Sequence, residues 1–220
     1  GMWYLIAMVV MAILAPVIAP YGMDDQNADA ILLTPNADHW FGTDNFGRDI
    51  LSRILYGSRI SLMVGFATVV FSMTIGVVLG ALAAYYQKLD NVMMRIVDII
   101  GGIPQMLLAM AIAASLGSGL RNMMIAVIIS TIPQYARITR SSVLTIKESE
   151  YVEAAKSIGA SDGHIIFQHI LPNVMSPIIV QSTLGVANAI MASATLSFMG
   201  LGIQPPSPEW GAMLAAGRVY

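Results

Sequence analysis

The residues of this chain that could do chemistry are few, and they do not form a recognisable catalytic set. The sequence has no cysteine, which excludes disulfides, thiol nucleophiles and cysteine-ligated metals. His164 and His169 are five positions apart and lack the glutamate of a His-Glu-x-x-His zinc helix, so a structural role is favoured for both. The sequence contains no Gly-x4-Gly-Lys-Ser/Thr phosphate-binding loop. We therefore expect no catalytic residue, no cofactor and no metal.

The composition indicates a membrane protein. Hydrophobic residues make up 56% of the 220 residues and charged residues only 11%, whereas an ordinary soluble domain has roughly 25% charged residues. So few charges cannot form the polar surface of a soluble enzyme. A net charge of −2 also offers no basic surface for nucleic acid.

Long uncharged runs predict the fold class, because a spanning helix needs about 20 predominantly apolar residues. We predict an all-α, polytopic helical membrane protein that forms a single domain over residues 1–220. The five predicted spans lie at about residues 2–20, 60–86, 98–117, 122–137 and 175–198. They leave hydrophilic loops at 20–59, 137–172 and 199–220.

Two features near or within the spans could form specific contacts. Asp98 follows Arg95 by one helical turn, so an interfacial Asp–Arg pair is favoured over a proton relay. Gly76 and Gly80 have the spacing that allows close helix packing. Because this motif is common in spans, a helix contact at the two glycines stays an open alternative.

The loop at 137–172 carries the most specific pattern. Glu153-Ala154-Ala155 is followed three residues later by Gly159, and then by Leu171-Pro172. Apolar residues recur at three- and four-residue spacing from Val143 to Ile158, which predicts a helix with one apolar stripe. A glycine such as Gly159 is a natural helix stop.

A second short helix is predicted after that glycine. Ser161 can cap its first turn, and Pro172 marks its junction with the next span. The loop should therefore form a polar helix-turn-helix between two spans. The alternative is an ordinary helix with an ordinary glycine cap and no special role.

The spacing Glu-Ala-Ala-x3-Gly-x9-Ile-x-Leu-Pro resembles the EAA loop of permease subunits from binding-protein-dependent ABC importers. The match holds except at the Ile position, which is His169. Histidine there is usual in the dipeptide, oligopeptide and nickel branch. Residues 41–62 and 196–211 resemble the first outer loop and the loop after the fifth span of that branch. The resemblance covers essentially the whole chain.

The resemblance implies a function and a set of partners. The chain would be a multi-pass permease subunit in the cell (inner or plasma) membrane, forming with a second permease the path for peptides or a related small solute, such as a nickel chelate. ATP would be hydrolysed on two cytoplasmic ATPase subunits, and an extracytoplasmic solute-binding protein would deliver the solute. Loop 137–172 would face the cytoplasm, and loops 20–59 and 199–220 the outside. A sixth span is usual in the family, so we expect a truncated six-span permease.

The resemblance also implies two groups of site residues. In this reading the EAA loop docks in a groove of the ATPase, where small residues allow close approach and a carboxylate can meet a basic partner. The ATPase-coupling residues are Glu153, Ala154, Ala155, Gly159, Leu171 and Pro172. The outer-loop motif residues are Gly42, Thr43, Asp44, Gly47, Arg48 and Asp49.

Alternatives remain open for both the outer loop and the function. The outer-loop motif could dock or gate, or it could be only a solvated turn around Gly42 and Gly47. A stand-alone secondary transporter or channel would need no ATPase, but such proteins commonly contain internal repeats, and none is found here. A membrane-embedded hydrolase would need a nucleophile and base or paired acids, and the spans have almost no ionisable group.

Overall fold

The computed structural model describes residues 2–220, apart from the side chains of residues 2, 4 and 5. Gly1, the first residue of the predicted domain, lies outside the described residues. The described chain is all-α, as predicted. Its helices are α1 (Met2–Ile18), α2 (Ile50–Tyr85), α3 (Gln87–Gly101), α4 (Gln105–Leu116), α5 (Leu120–Lys147), α6 (Glu150–Ser157), α7 (Asp162–Phe198) and α8 (Trp210–Gly217).

Two of these helices are long and apolar enough to cross a bilayer by themselves, namely α2 and α7. Helices α3 and α4 qualify together as a third candidate, but they are bent by 86° at the break between them. Residues Ile6–Ile18 of α1 form a shorter apolar helix. Five spans therefore remain a prediction, of which length and composition in the structure support two or three.

The run predicted as one span over 98–117 is not one continuous helix. It breaks between Gly101 and Gln105. Pro104 accounts for the break, since proline lacks an N–H and pushes the preceding residue away from the helical region. The helix that contains the span predicted at 60–86 begins ten residues before it, because α2 starts at Ile50. There Asp49 caps the helix by accepting a hydrogen bond from the Ser52 N–H at 2.7 Å.

The described residues form two compact units, each built from separate stretches of the chain. The central unit comprises residues 67–112 and 125–189, and the terminal unit comprises residues 2–66, 113–124 and 190–220. Each unit is described by itself below.

The core of the central unit depends on glycines that let α2 meet α5. A Cβ on Gly76 would collide with Tyr135, and one on Gly80 would collide with Ala136 and Thr139. The spacing Gly76-x3-Gly80 thus marks a real helix contact, the alternative that the sequence left open. Tyr135 is fully buried at this crossing.

The topology prediction can be tested by thiol labelling, because the chain has no cysteine. Gln26→Cys and Glu148→Cys place a thiol at exposed positions in two different hydrophilic loops. If α2, the α3–α4 pair and α5 each cross the bilayer once, an impermeant maleimide should label the two positions from opposite faces. Labelling of both from the same face would show that the number of crossings between them is even.

Candidate functional site

Residues 148–172, called the coupling element below, form a short helix, a turn and the start of α7. Helix α6 ends at Ser157, and Gly159 follows in the left-handed region with φ +81°. The Ala160 N–H donates to the Ala155 carbonyl at 3.1 Å and the Gly159 N–H to the Lys156 carbonyl at 3.0 Å. This is the Schellman pattern, in which glycine satisfies the last carbonyls of a helix without steric cost. The predicted helix stop is therefore confirmed.

Three of the four predicted coupling residues in α6 and the turn after it lie at the surface. Glu153, Ala154 and Gly159 are all exposed. Among the described residues, apart from its chain neighbours, no heavy atom lies within 4 Å of the place where a Cβ on Gly159 would stand. Lack of space therefore does not explain the glycine, whereas its positive φ does.

Ala155 lies differently from Ala154. It is buried with Val152 on the inner side of α6, and α6 packs against residues Ile165–Ile170 of α7. Within the described residues, the small size of Ala155 therefore serves packing inside the chain rather than an exposed surface.

Leu171 and Pro172 stand at a change of helix geometry within α7. Residues Ile165–Ile170 form a π-helical segment, and the Leu171 N–H donates to the Ile166 carbonyl. Pro172 has no N–H with which to continue the α-helical hydrogen bonds. The wider π-helical turn before it lets the helix continue past this proline. Leu171 is half-buried and Pro172 exposed. The predicted cap is also present, since the Ser161 hydroxyl accepts from the His164 N–H at 3.4 Å.

The predicted apolar stripe of this loop is divided between the inside and the surface. Val143, Val152 and Ala155 are buried, but Ile158 is 85% exposed and Tyr151 is 44% exposed. Phe167, which the sequence analysis did not single out, is 71% exposed. Periodicity alone could not separate residues that face this chain from residues left for a partner.

Polar contacts join the residues just before and just after α6 to the end of α2. The Lys147 ammonium donates to the Ala84 carbonyl at 3.1 Å and to the Tyr85 carbonyl at 2.9 Å. On the other side of α6, the Asp162 carboxylate accepts from the Tyr85 hydroxyl at 2.7 Å and from the Tyr86 hydroxyl at 3.1 Å. We call the four residues whose side chains make these contacts, Tyr85, Tyr86, Lys147 and Asp162, the α2 clamp. The sequence analysis missed it because its members are up to 77 positions apart.

Two ion pairs join α3 to α5. Arg140 makes a two-pronged contact with Asp90, with both N–O distances at 2.6 Å, and this hydrogen bonding raises the pKa of Arg140 above its usual value. Asp98 pairs with Arg137 at 3.0 Å. Asp98 therefore forms an Asp–Arg pair, but the prediction that its partner is Arg95 is wrong. The Asp98 carboxylate contacts Arg137 on the neighbouring helix α5 instead of an arginine on its own helix.

The two histidines of the coupling element contact each other. Their rings lie edge to face with centroids 5.5 Å apart. Among the described residues, no three or more His, Cys, Asp and Glu side chains are grouped so that they could hold a metal ion.

The outer-loop motif in the terminal unit is a folded hydrogen-bond network and not only a solvated turn. Arg48 is buried and places two nitrogens 2.7 Å from one Asp44 oxygen. The other Asp44 oxygen accepts from the Phe46 N–H at 2.8 Å and the Arg48 N–H at 3.0 Å. Gly47, between them, has φ +69°. Asp44 therefore holds this turn together by accepting hydrogen bonds from its backbone and from the Arg48 side chain.

The rest of the motif ties the loop to neighbouring backbone. The Thr43 hydroxyl donates to the Ala30 carbonyl and accepts from the Leu33 N–H at 2.8 Å. Gly42 has φ +74°, and Asp49, which caps α2, also lies 3.0 Å from the His39 ring. These contacts show a structural role for every predicted outer-loop residue.

Comparison with known proteins identifies the family. The family described as "Binding-protein-dependent transport system inner membrane component" matches residues 76–219, and the one described as "N-terminal TM domain of oligopeptide transport permease C" matches residues 1–35. The chain belongs to the binding-protein-dependent transport permeases.

Curated relatives support this membership along the whole chain. A dipeptide transport system permease protein, DppC, of Alkalihalophilus pseudofirmus is 46% identical over 100% of this chain and 73% of the relative. A di/tripeptide transport system permease protein of Pseudomonas aeruginosa is 43% identical over 100% of this chain and 75% of the relative. A probable D,D-dipeptide transport system permease protein of Escherichia coli K12 is 45% identical over 98% of this chain and 73% of the relative.

Solved structures agree on the fold. An inward-facing structure of the MetNI methionine ABC transporter aligns with a TM-score of 0.66 at 19% identity, covering 77% of this chain and 82% of that chain. A second crystal form gives a TM-score of 0.63 at 20% identity, covering 74% and 78%. Together with the family match and the curated relatives, this fold makes the chain an ABC importer permease subunit and a multi-pass inner-membrane protein. It is not an enzyme, since in this family separate subunits hydrolyse ATP.

The outer-loop network generates a stability prediction. Arg48→Ala should remove the nearer cation of the Asp44 carboxylate and leave only Arg53, at 3.7 Å. It should destabilise the folded loop by about 1.5–3 kcal/mol, the usual value of a hydrogen bond to a charged group. Limited proteolysis within residues 22–48 should become faster in detergent. Arg59→Ala, at an exposed arginine, is the matched control. Unchanged protection of the Arg48→Ala loop would show that the network does not hold it.

Proposed function

We propose that this chain receives the motion of the ATPase subunits through the coupling element, residues 148–172. The observation that carries the proposal is the exposure of Glu153, Ala154 and Gly159 on a helix end that is itself well ordered by hydrogen bonds. A rigid, small-residue surface with one carboxylate suits insertion into a groove on another protein. Such a contact transmits force without any chemistry in the permease.

The exposed side chains indicate the chemistry of the ATPase groove. Glu150 and Glu153 are exposed acids in the first turn of α6. Ile158 and Phe167 are large exposed apolar residues of the same element. The complementary groove should therefore have an apolar floor with basic residues at its edge. Two ATPase subunits fit the proposal best, one for this chain and one for a second, similar permease.

We further propose that the solute is a small peptide. The names of the relatives refer to dipeptide, di/tripeptide, D,D-dipeptide and glutathione transport. All four are short, flexible solutes with peptide bonds, and this chain is 43–46% identical to those relatives. A nickel chelate has less support, since none of these names refers to it.

The terminal unit would carry the contact with the solute-binding protein. Trp40 is 68% exposed, Phe41 53% and Phe46 47%, all in the loop that the Asp44 network folds. Exposed aromatic side chains are characteristic anchors of protein interfaces. In this proposal the outer-loop motif builds a rigid support, and the aromatic residues on it make the contact.

Substitutions at the coupling element test the proposal. Gly159→Val puts a β-branched residue at positive φ, at a cost of roughly 1–2 kcal/mol, and adds bulk at a close contact, at about 1–3 kcal/mol. ATPase association should weaken by about tenfold or more. Glu153→Lys should act similarly by reversing the charge. The measurement is co-purification of the ATPases with the intact permease pair, followed by uptake in proteoliposomes.

Matched controls separate docking from folding. Gly117→Val introduces the same residue at a glycine with φ +86° and open space around it, and Asp29→Lys reverses an exposed acid in loop 20–59. Both should keep ATPase association. If Gly159→Val and Glu153→Lys retain wild-type association and uptake, the coupling element has been assigned wrongly.

The solute is tested in the reconstituted importer. With its ATPases and binding protein, it should take up a labelled dipeptide or tripeptide in the presence of ATP, and an excess of nickel chelate should not compete. Uptake driven by an ion gradient without ATPases would instead support a secondary transporter. If the nickel chelate competes and peptides do not, the solute is a nickel chelate and the peptide proposal is wrong.

A further inference from the structure

Helix α6 is held on both sides by the same end of α2. Residues 148–161, which include α6, lie between Lys147 and Asp162, and both of these residues bond to the last residues of α2 or to Tyr86 immediately after it. Contacts with any part of the chain could keep this loop folded. Motion of the loop can be passed to one particular helix only if the loop is bonded to that helix, and here the helix is α2.

Lys147 bonds to backbone carbonyls at the end of α2. The last carbonyls of a helix have no partner within the helix, and a cation there interacts favourably with the helix dipole. Tyr86 is extended and ends α2, so Ala84 and Tyr85 offer their carbonyls to the Lys147 ammonium. The end of α5 is thereby joined to the end of α2.

The Asp162 contact joins the chain after α6 to the same end of α2. Its two oxygens each accept a different tyrosine hydroxyl, from Tyr85 at 2.7 Å and from Tyr86 at 3.1 Å. The rings of Tyr85 and Tyr86 also pack edge to face with centroids 5.0 Å apart. Hydrogen bonds to a charged acceptor are roughly twice as strong as neutral ones.

Helix α6 itself contacts this arrangement. The Lys156 ammonium lies 5.9 Å from the Tyr85 ring centroid, and the Lys147 ammonium lies 5.7 Å from the same ring. The hydroxyls of Ser149 and Ser157, in contrast, bond only to nearby backbone carbonyls. Tyr85 is thus contacted by one polar side chain before α6, one within it and one after it, namely Lys147, Lys156 and Asp162.

We infer that the α2 clamp, formed by Tyr85, Tyr86, Lys147 and Asp162, is the positioning device that carries displacement of α6 into α2. The inference rests on the proposed docking of the ATPase at the coupling element, and it adds the route by which that docking moves a spanning helix. Helix α2 is uninterrupted over its 36 residues, so a displacement of its last turn moves the helix rather than bending a joint.

The test uses the complete importer in proteoliposomes, with three conservative variants. Tyr85→Phe and Tyr86→Phe each remove one hydroxyl, and Asp162→Asn removes the charge while keeping an acceptor oxygen. Tyr56→Phe and Asp29→Asn are matched controls outside the clamp. For each importer, ATPase association, basal ATP hydrolysis and the number of solute molecules taken up per ATP are measured.

The inference predicts a specific pattern across these measurements. Tyr85→Phe and Asp162→Asn should keep ATPase association and basal hydrolysis within about twofold, while uptake per ATP falls by about threefold or more. The double variant should lose less than the sum of the two single losses, because both changes weaken the same Tyr85–Asp162 contact. Tyr86→Phe should have the smaller effect, as its bond is longer.

Other outcomes would overturn the inference. Unchanged uptake per ATP in Tyr85→Phe and Asp162→Asn would show that the clamp carries no motion. Loss of ATPase association, or a proportional fall of hydrolysis and uptake together, would show that the clamp only stabilises the fold. If Glu153→Lys abolishes ATPase association while the clamp variants remain fully coupled, the docking proposal stands and only the clamp fails. If Glu153→Lys and Gly159→Val also leave the importer intact, the docking proposal fails as well.

Discussion

A lipid bilayer restricts where this chain can place a charge, and most of the structure follows from that restriction. An ionised side chain at the centre of a membrane costs several kcal/mol, and the sequence carries no charged residue between Arg59 and Lys88. The charges lie instead outside the longest apolar run, where they find partners: Arg140 pairs with Asp90 in the first turn of α3, and Lys147, the last residue of α5, meets the carbonyls that end α2. Polar contacts are therefore concentrated at the borders of the apolar helices.

That concentration suits the mechanical function proposed for the permease, which needs no reacting group. Its helices pack through small residues, as Gly76 and Gly80 do against α5. A cytoplasmic ATPase can be contacted only through a polar element outside the bilayer. The coupling element has the required features, since one side of α6 is buried in its own chain through Val152 and Ala155, and exposed residues such as Ile158 remain for a partner.

The sequence predicted features that depend on local conformation, and it missed those that depend on distant partners. The stop at Gly159 and the cap at Ser161 were predictable because each is set by a few neighbouring residues. The family could also be predicted, since its motif has a fixed spacing. The pairing of Asp98 with Arg137 was not predictable, because helix packing brings together residues 39 positions apart. The apolar stripe was misjudged at Ile158, since a period of 3.6 does not tell a core from an interface.

The central claim is that the coupling element faces the ATPase, and site-specific photo-crosslinking in the assembled importer tests it most directly. A photoreactive amino acid is placed at Ile158, which is 85% exposed, or at exposed Gln26 of loop 20–59 as the comparison position. The account predicts an adduct with the ATPase subunit from position 158 and none from position 26. An ATPase adduct from position 26, with none from position 158, would contradict it.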